Sequence, residues 1–135
     1  MLEKDGLNMD LKRFAKRPVM GIVRGISCND IEPLVEAVVS AGLETMEITM
    51  NTPQAPGLIK KAVKVSGGRL AIGAGTVLGM EDLKAALTAG ATFIVTPVLI
   101  SDVTAYCVKN KIPVFPGALT PSEIYTAWNA GATMV

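Results

Sequence analysis

The chain has 135 residues, half of them hydrophobic and 19% charged, and its formal net charge is +1. This composition is typical of one globular domain, and it excludes a disordered tail and the charge excess of a nucleic-acid-binding protein. The sequence contains no histidine, which excludes Ser-His-Asp catalysis, Cys-His catalysis and histidine-bound zinc.

Strands and helices are predicted to alternate along the chain. A short amphipathic helix comes first, over residues 9–16, and is expected to act as a lid or a bottom cap. Apolar, β-branched stretches predict strands over residues 18–24, 46–50, 70–77, 93–98 and 113–119. Amphipathic stretches predict helices over residues 28–41, 54–65, 80–88, 101–110 and 121–130.

Two of these helices begin with recognisable capping sequences. Ser27 with Asp30 three places later predicts an N-cap for the helix after the first strand. Thr120 followed by Pro121 and by Glu123 combines a cap, a proline at the first helical position and the residue that closes a capping box. We therefore expect the helix after Thr120 to have the best-defined start.

The alternation of strands and helices predicts an α/β fold around a parallel sheet. A doubly wound sheet and a (β/α)8 barrel both fit, and the short, even pitch of the glycines that end the helices favours the barrel. About five and a half βα units are present, because residues 133–135 read as the opening of a sixth strand. A barrel usually takes about 200 residues or more. We therefore expect residues 1–135 to be a single barrel domain that is truncated at the start of the sixth strand.

The location in the cell is inferred from two missing signals and from the cysteines. No apolar run approaches the roughly 20 residues of a membrane span, and the N-terminus lacks the hydrophobic core of a signal peptide. Cys28 and Cys107 fall at predicted helix positions and are expected to be free thiols. We therefore expect a cytoplasmic protein that binds neither a membrane nor nucleic acid.

Glu47 lies in the middle of a predicted buried strand. A buried carboxylate is costly, so it is expected to be either paired or used in function. Strand alternation places Thr45, Glu47 and Thr49 on one face, inside the barrel, and leaves Met46 and Met50 to pack against helices. The sequence therefore predicts a carboxylate that points into the barrel.

The position of a charged residue along its strand indicates whether the residue serves function or stability. In barrels the carboxyl ends of the strands form the active site, and the other ends contribute to stability. This rule favours Glu47 and Arg24 as functional residues over Glu44 and Arg69, which begin strands. A buried structural ion pair between Glu47 and Arg24 is the alternative, and it could coexist with catalysis.

Thr76 and Pro97 are weaker candidates for a binding site. Thr76 follows Gly73 and Gly75, and glycines there permit close approach of a ligand or ease packing inside the barrel. Pro97 ends the next strand, where proline is an ordinary turn former. Cys107 and Trp128, at helix positions, are expected to lie in the core or at an interface.

The pattern Gly42-x-x-x-x-Glu47-Ile48-Thr49 resembles the active-site glutamate signature of one aldolase family. These are the class I aldolases that act on 2-keto-3-deoxy-6-phosphogluconate (KDPG) and 4-hydroxy-2-oxoglutarate (KHG). The resemblance runs from Pro18 onwards and includes residues 18–24, residues 73–77, Thr96-Pro97 and Pro116-Gly117. Each motif alone is weak, and together they are specific.

The resemblance implies a fold, a chemistry and roles for particular residues. The family fold is a (β/α)8 barrel, usually a homotrimer, in which a lysine forms a Schiff base with pyruvate and no metal or other cofactor is needed. It implies a carbon–carbon lyase of carbohydrate metabolism that cleaves KDPG or KHG to pyruvate and an aldehyde. Glu47 would be the general acid and base. Thr76 and Pro97 would line the pyruvate pocket, and Arg24 would bind substrate beside them.

The sequence departs from the family pattern at two places. Asn51 stands where the family usually has an arginine that holds the substrate carboxylate, so a bidentate charged contact is lost and Arg24 is expected to take over part of it. The stretch from Gly131 to Val135 matches the residues that precede the Schiff-base lysine, which is expected just after Val135. The lysines that are present lie on predicted helices, in one loop or near the N-terminus.

Two other functions remain as alternatives. A barrel isomerase or decarboxylase could use Glu47 as a simple base with no lysine, and it would turn over without being trapped by borohydride. A non-catalytic barrel fragment could instead associate with a partner or with itself to cover its open sheet edge.

Overall fold

The computed structural model describes residues 9–135, and five strands and six helices alternate along them. The strands are β1 (Gly21–Val23), β2 (Thr45–Thr49), β3 (Ala71–Gly75), β4 (Ile94–Thr96) and β5 (Val114–Pro116). The helices are α1 (Leu11–Lys16), α2 (Ile31–Ser40), α3 (Ala55–Ser66), α4 (Met80–Thr88), α5 (Ser101–Lys109) and α6 (Pro121–Asn129). No helix in this part of the chain is long and apolar enough to cross a membrane.

All five strands are parallel and lie side by side in their sequence order. A doubly wound sheet would reverse its order at a switch point, whereas a (β/α)8 barrel keeps the sequential order throughout. The prediction of an α/β fold with consecutive βα units of a barrel is therefore confirmed, and residues 9–135 supply five of them.

The face of the sheet that carries Met46 and Ile48 packs against the helices. Both side chains are fully buried, in one cluster with Ile31 of α2 and with Leu58 and Ile59 of α3. The alternation predicted for β2 is therefore confirmed, and the opposite face, which carries Thr45, Glu47 and Thr49, is the inner face of the barrel.

Helix α1 closes the amino-terminal end of this inner face, so of the two expected roles, lid or bottom cap, it has the second. Phe14 of α1 is buried with Phe93, and its ring lies 6.3 Å from that of Phe115. The rings of Phe93 and Phe115 meet edge to face at 5.8 Å, an arrangement that aromatic side chains favour. The carboxyl end of the inner face therefore remains for a site.

The charged residues that precede strands form ion pairs at this closed end. Glu44, just before β2, pairs with Arg13 of α1 at 2.9 Å, and Arg69, just before β3, pairs with Glu36 of α2 at 2.5 Å. Arg13 also donates to the carbonyl of Arg69. Glu44 and Arg69 therefore help to hold α1 and α2 in place, as their position predicted.

The structure confirms some of the other predicted details and differs from the rest. The Ser27 hydroxyl donates to the Asp30 carboxylate at 2.5 Å and caps no helix, because a 3-10 turn over Cys28–Asp30 precedes α2. The capping box at Thr120 and Glu123 is confirmed. Residues 133–135 form no strand, although the amide of Thr133 donates to the Val114 carbonyl. Cys107 is buried, and Trp128 is 61% exposed and lies outside the core.

Candidate active site

Glu47 is a buried carboxylate with no partner for one of its oxygens. It lies at the centre of β2 and is only 3% exposed, and its Oε2 atom is buried without a hydrogen bond. Burial raises the pKa of Glu47 from its ordinary value of 4.5 to about 7, and the positive charge of Arg24 acts in the opposite direction. A carboxyl group with a pKa near 7 can both donate and accept a proton at neutral pH.

Two glycines of β3 make room for the side chains around Glu47. Gly73 is the register partner of Glu47, and a Cβ atom there would lie less than 3 Å from the Phe93 ring. A Cβ atom at Gly75 would lie less than 3 Å from both carboxylate oxygens of Glu47. Both glycines therefore have a packing role inside the barrel.

Replacing Gly75 by alanine is expected to force the Glu47 carboxylate out of its place. We expect Gly75→Ala to lower the free energy of unfolding by roughly 1–3 kcal/mol, the usual cost of overpacking, as measured by urea denaturation. In a Glu47→Ala background the same change is expected to cost much less, because the two side chains no longer collide.

The control for this prediction is Gly21→Ala in β1. The nearest atom to a Cβ at Gly21 is the Thr45 carbonyl oxygen at 3.8 Å, an ordinary contact. Equal losses of stability in Gly75→Ala and Gly21→Ala would contradict the close approach of Gly75 to Glu47.

Arg24 and Thr76 meet close to Glu47 at the carboxyl ends of β1 and β3. Arg24 is exposed, and its Nη2 lies 3.4 Å from the Thr76 hydroxyl, a long hydrogen bond. Thr76 has a φ of +54°, which is rare for a β-branched residue and tends to occur at functional sites. We call Glu47, Arg24 and Thr76 together the Glu47 site.

A buried ion pair between Glu47 and Arg24 does not form. Neither Glu47 nor Arg24 takes part in the ion pairs Arg13–Glu44 and Arg69–Glu36. Arg24 therefore acts on Glu47 through its charge and not by direct contact. This arrangement leaves the Glu47 carboxylate available to another molecule.

Pro97 and Asn51 are less closely connected with the site. Pro97 is exposed and lines a groove of about 380 Å³ with residues that include Gly117, Leu119 and Thr126. Asn51 is exposed in the loop after β2. Neither Asn51 nor Pro97 has a hydrogen bond to a residue of the Glu47 site, so their predicted binding roles stay predictions.

Sequence reasoning missed the contact between Thr49 and Thr52 at the end of β2. Thr49 and Thr52 are both buried, and their hydroxyl oxygens lie 3.0 Å apart. Alternation along β2 already placed Thr49 on the inner face, but nothing in the sequence marked Thr52, which follows the strand. Within residues 9–135, no group of three or more Cys, Asp or Glu side chains could hold a metal ion.

The lysines in the described part of the chain lie on helices or in the loop before β5. Lys60, Lys61 and Lys64 lie on α3, Lys84 on α4 and Lys109 on α5. Lys12 and Lys16 lie on α1 at the closed end, and Lys111 precedes β5. Lys4 is outside the described residues.

The comparison with known proteins agrees with these features. A family model described as "KDPG and KHG aldolase" matches residues 11–135. The 2-dehydro-3-deoxy-6-phosphogalactonate aldolase of Escherichia coli K12 is 39% identical over 117 residues, which cover 87% of this chain and 57% of that protein. The 2-dehydro-3-deoxy-phosphogluconate aldolase of Treponema pallidum is 34% identical over 125 residues, which cover 93% of this chain and 58% of that protein.

Solved structures give the same result. A native KDPGal structure superposes with a TM-score of 0.82 at 39% identity, over 87% of this chain and 57% of that one. KDPG aldolase from Legionella pneumophila, with pyruvate captured as a covalent carbinolamine, superposes with a TM-score of 0.79 at 29% identity, over the same shares of 87% and 57%. The chain spans little more than half the length of these relatives. On the strength of the family match over residues 11–135 and these identities, the chain belongs to the KDPG and KHG aldolase family.

Proposed function

We propose that this chain is the glutamate-bearing part of a class I aldolase. The enzyme cleaves a 2-keto-3-deoxy-6-phospho sugar acid or 4-hydroxy-2-oxoglutarate to pyruvate and an aldehyde, with a lysine Schiff base and without a metal. The observation that supports this proposal most directly is the buried carboxyl group of Glu47, whose pKa is raised to about 7 on the inner face of the barrel.

Glu47 is proposed to carry the protons that Schiff-base chemistry requires. Attack of a lysine amine on the keto carbon gives a carbinolamine, which must lose water to become an iminium ion. Removal of the proton from the hydroxyl group beside the breaking carbon–carbon bond turns that carbon into the aldehyde, and the iminium accepts the electron pair of the broken bond. The resulting enamine is then protonated, and water hydrolyses the imine to release pyruvate and the lysine amine. Each step moves a proton to or from the substrate, and one carboxyl group with a pKa near neutrality can do both.

The Schiff-base lysine is proposed to follow Val135 directly. The amide of Thr133 donates to the Val114 carbonyl, and the Thr133 hydroxyl accepts from the Val114 amide, so the chain there runs beside β5. A residue three places after Thr133 would lie level with the carboxyl end of β5, where barrel active sites form. This register supports the lysine position that the family resemblance implies.

Arg24, Thr76, Pro97 and Asn51 are proposed to bind the substrate. The Arg24 guanidinium supplies positive charge beside Glu47 for an anionic keto acid, and the Thr76 hydroxyl offers a neutral hydrogen bond. Asn51 contributes no charge where the family usually has arginine. The relatives are named for phosphogalactonate and phosphogluconate substrates, which are epimers, so both compounds should be assayed in parallel.

The whole enzyme is proposed to be a cytoplasmic homotrimer. Exposed apolar side chains on and before α6, among them Leu119, Tyr125 and Trp128, offer surface for a subunit contact. Light scattering of the purified protein tests this: three subunits per particle would support the proposal, and a monomer would contradict it.

The test of the proposed chemistry is the intact mass of the protein before and after incubation with pyruvate and borohydride. A class I aldolase is expected to gain one reduced pyruvate on a lysine after Val135, and Glu47→Gln should slow this reaction. Turnover of a keto acid without trapping would favour an isomerase or decarboxylase that uses Glu47 as a base. No turnover and no adduct would contradict the aldolase and favour a non-catalytic fragment.

A further inference from the structure

A buried pair of threonine hydroxyls lies beneath the loop that carries Arg24. Thr49 is 0% exposed and Thr52 is 3% exposed. Their Oγ1 atoms lie 3.0 Å apart, and the backbone amide of Gly25 donates to Thr52 Oγ1 at 3.1 Å. The inner face of β2, the loop after β2 and the loop after β1 are therefore joined by one hydrogen-bonded chain.

The Thr52 hydroxyl does not act as a helix cap. Helix α3 starts at Ala55, and its N-cap residue is Gln54, which makes no side-chain capping bond. At the start of α3 the Thr52 carbonyl accepts from the Ala55 amide at 3.1 Å. The Thr52 hydroxyl instead contacts the Thr49 hydroxyl and the Gly25 amide in the loop after β1, so a local role in starting α3 does not account for it.

Arg24 itself is held by few contacts. Its side chain is exposed and has one long hydrogen bond, from Nη2 to the Thr76 hydroxyl at 3.4 Å. The next residue, Gly25, has a φ of +67°, so the chain turns sharply there. On the amino side of Arg24 the backbone is held by β1, in which Val23 pairs with Ile48. On its carboxyl side the bond from the Gly25 amide to Thr52 is the first contact that holds the backbone.

We infer that Thr52 is a positioning residue, whose hydroxyl fixes the backbone after Arg24 and so holds the guanidinium beside Glu47 and Thr76. This inference rests on the proposed function, because only the proposed function makes Arg24 a contact of the substrate. Valine has the shape of threonine but offers no acceptor to the Gly25 amide. Gly25 is exposed, so water can bind its amide once the Thr52 hydroxyl is gone, and Thr52→Val should displace Arg24 without unfolding the domain.

The test is the titration of the Glu47 carboxyl group, followed by NMR in protein with ¹³C-labelled glutamate and without substrate. Arg24 is the charged group that lowers the pKa of Glu47, so Arg24→Gln should raise that pKa. Thr52→Val and Thr52→Ala should raise it in the same direction, and Thr52→Ser, which keeps the hydroxyl, should restore the wild-type titration. In the double variant, adding Thr52→Val to Arg24→Gln should leave the pKa of Glu47 where Arg24→Gln alone puts it.

Two results would overturn the inference. The first is an unchanged titration in Thr52→Val and Thr52→Ala when Arg24→Gln raises the pKa. The second is an unchanged titration in Arg24→Gln itself, because the guanidinium would then not lie beside Glu47. Since no step of the titration uses substrate, its outcome is independent of the borohydride test. In an active enzyme, Thr52→Val should raise KM for the keto acid roughly 5- to 10-fold and change kcat less than about 3-fold, as expected for a displaced charged contact.

Discussion

Glu47→Gln is expected to lower kcat for keto-acid cleavage by roughly 10²- to 10⁴-fold, the usual contribution of one general acid–base group. Glutamine keeps the shape of the side chain and its place on the inner face of β2, but it cannot take up or release a proton. Steady-state kinetics with the phosphorylated sugar acids measure the loss. KM should change little, because binding is assigned to Arg24 and its neighbours and not to Glu47.

The matched control is Glu44→Gln, three residues earlier in the chain. Glu44 is half-buried at the closed end of the barrel, where it pairs with Arg13. We expect this variant to keep kcat within about 3-fold of the wild type, because surface ion pairs contribute little. Equal losses of kcat in the two variants would show that Glu47 is not the proton carrier.

Glu47→Gln is also expected to stabilise the protein at alkaline pH. The unfolded chain releases the Glu47 proton near pH 4.5, and the folded chain holds it until about pH 7. Between these values the folded state binds the extra proton, so the stability of the wild type falls as the pH rises. Above pH 7 the ionised Glu47 lowers the free energy of unfolding by roughly 3 kcal/mol. Glutamine carries no charge and does not have this effect. Urea denaturation at pH 5 and at pH 8 should therefore show the advantage of Glu47→Gln growing with pH.

The same measurements on Glu44→Gln provide the reference. Its difference from the wild type should be small, because partly exposed ion pairs contribute little to stability. A difference between Glu47→Gln and the wild type that did not depend on pH would contradict the raised pKa of Glu47. A stabilised but inactive variant is the combination expected of a residue that is kept for function at the expense of stability.

Sequence reasoning located Glu47 because its signal is local. A carboxylate inside an apolar, β-branched stretch is costly wherever the strand is buried, and alternation along β2 gave its face correctly. The start of α6 was predictable for the same reason, since Thr120 and Glu123 satisfy each other within one turn. The fold class was predictable from the alternation, and the strand order in the structure excluded a doubly wound sheet.

The rest of the site depends on contacts between segments that are distant in the sequence. Gly75 could not be assigned to Glu47 without the register of β3 against β2. The contact of Arg24 with Thr76 joins residues that are 52 positions apart in the sequence. Nothing in the sequence marks Thr52, whose role depends on the hydrogen bond from the Gly25 amide. Ser27 failed as a predicted cap for a local reason, because its hydroxyl binds the Asp30 carboxylate instead of a backbone amide.

The sequential strand order has a consequence for how the chain folds during synthesis. Each strand pairs with the one made just before it, so the sheet can grow strand by strand from consecutive segments of the chain. Helix α1 is the exception. It is synthesised before the five strands, but its anchor Phe14 packs against Phe93 and Phe115, which are made much later. Helix α1 therefore has to wait for β4 and β5 before it can dock, and the closed end of the barrel is completed only after β5 has formed.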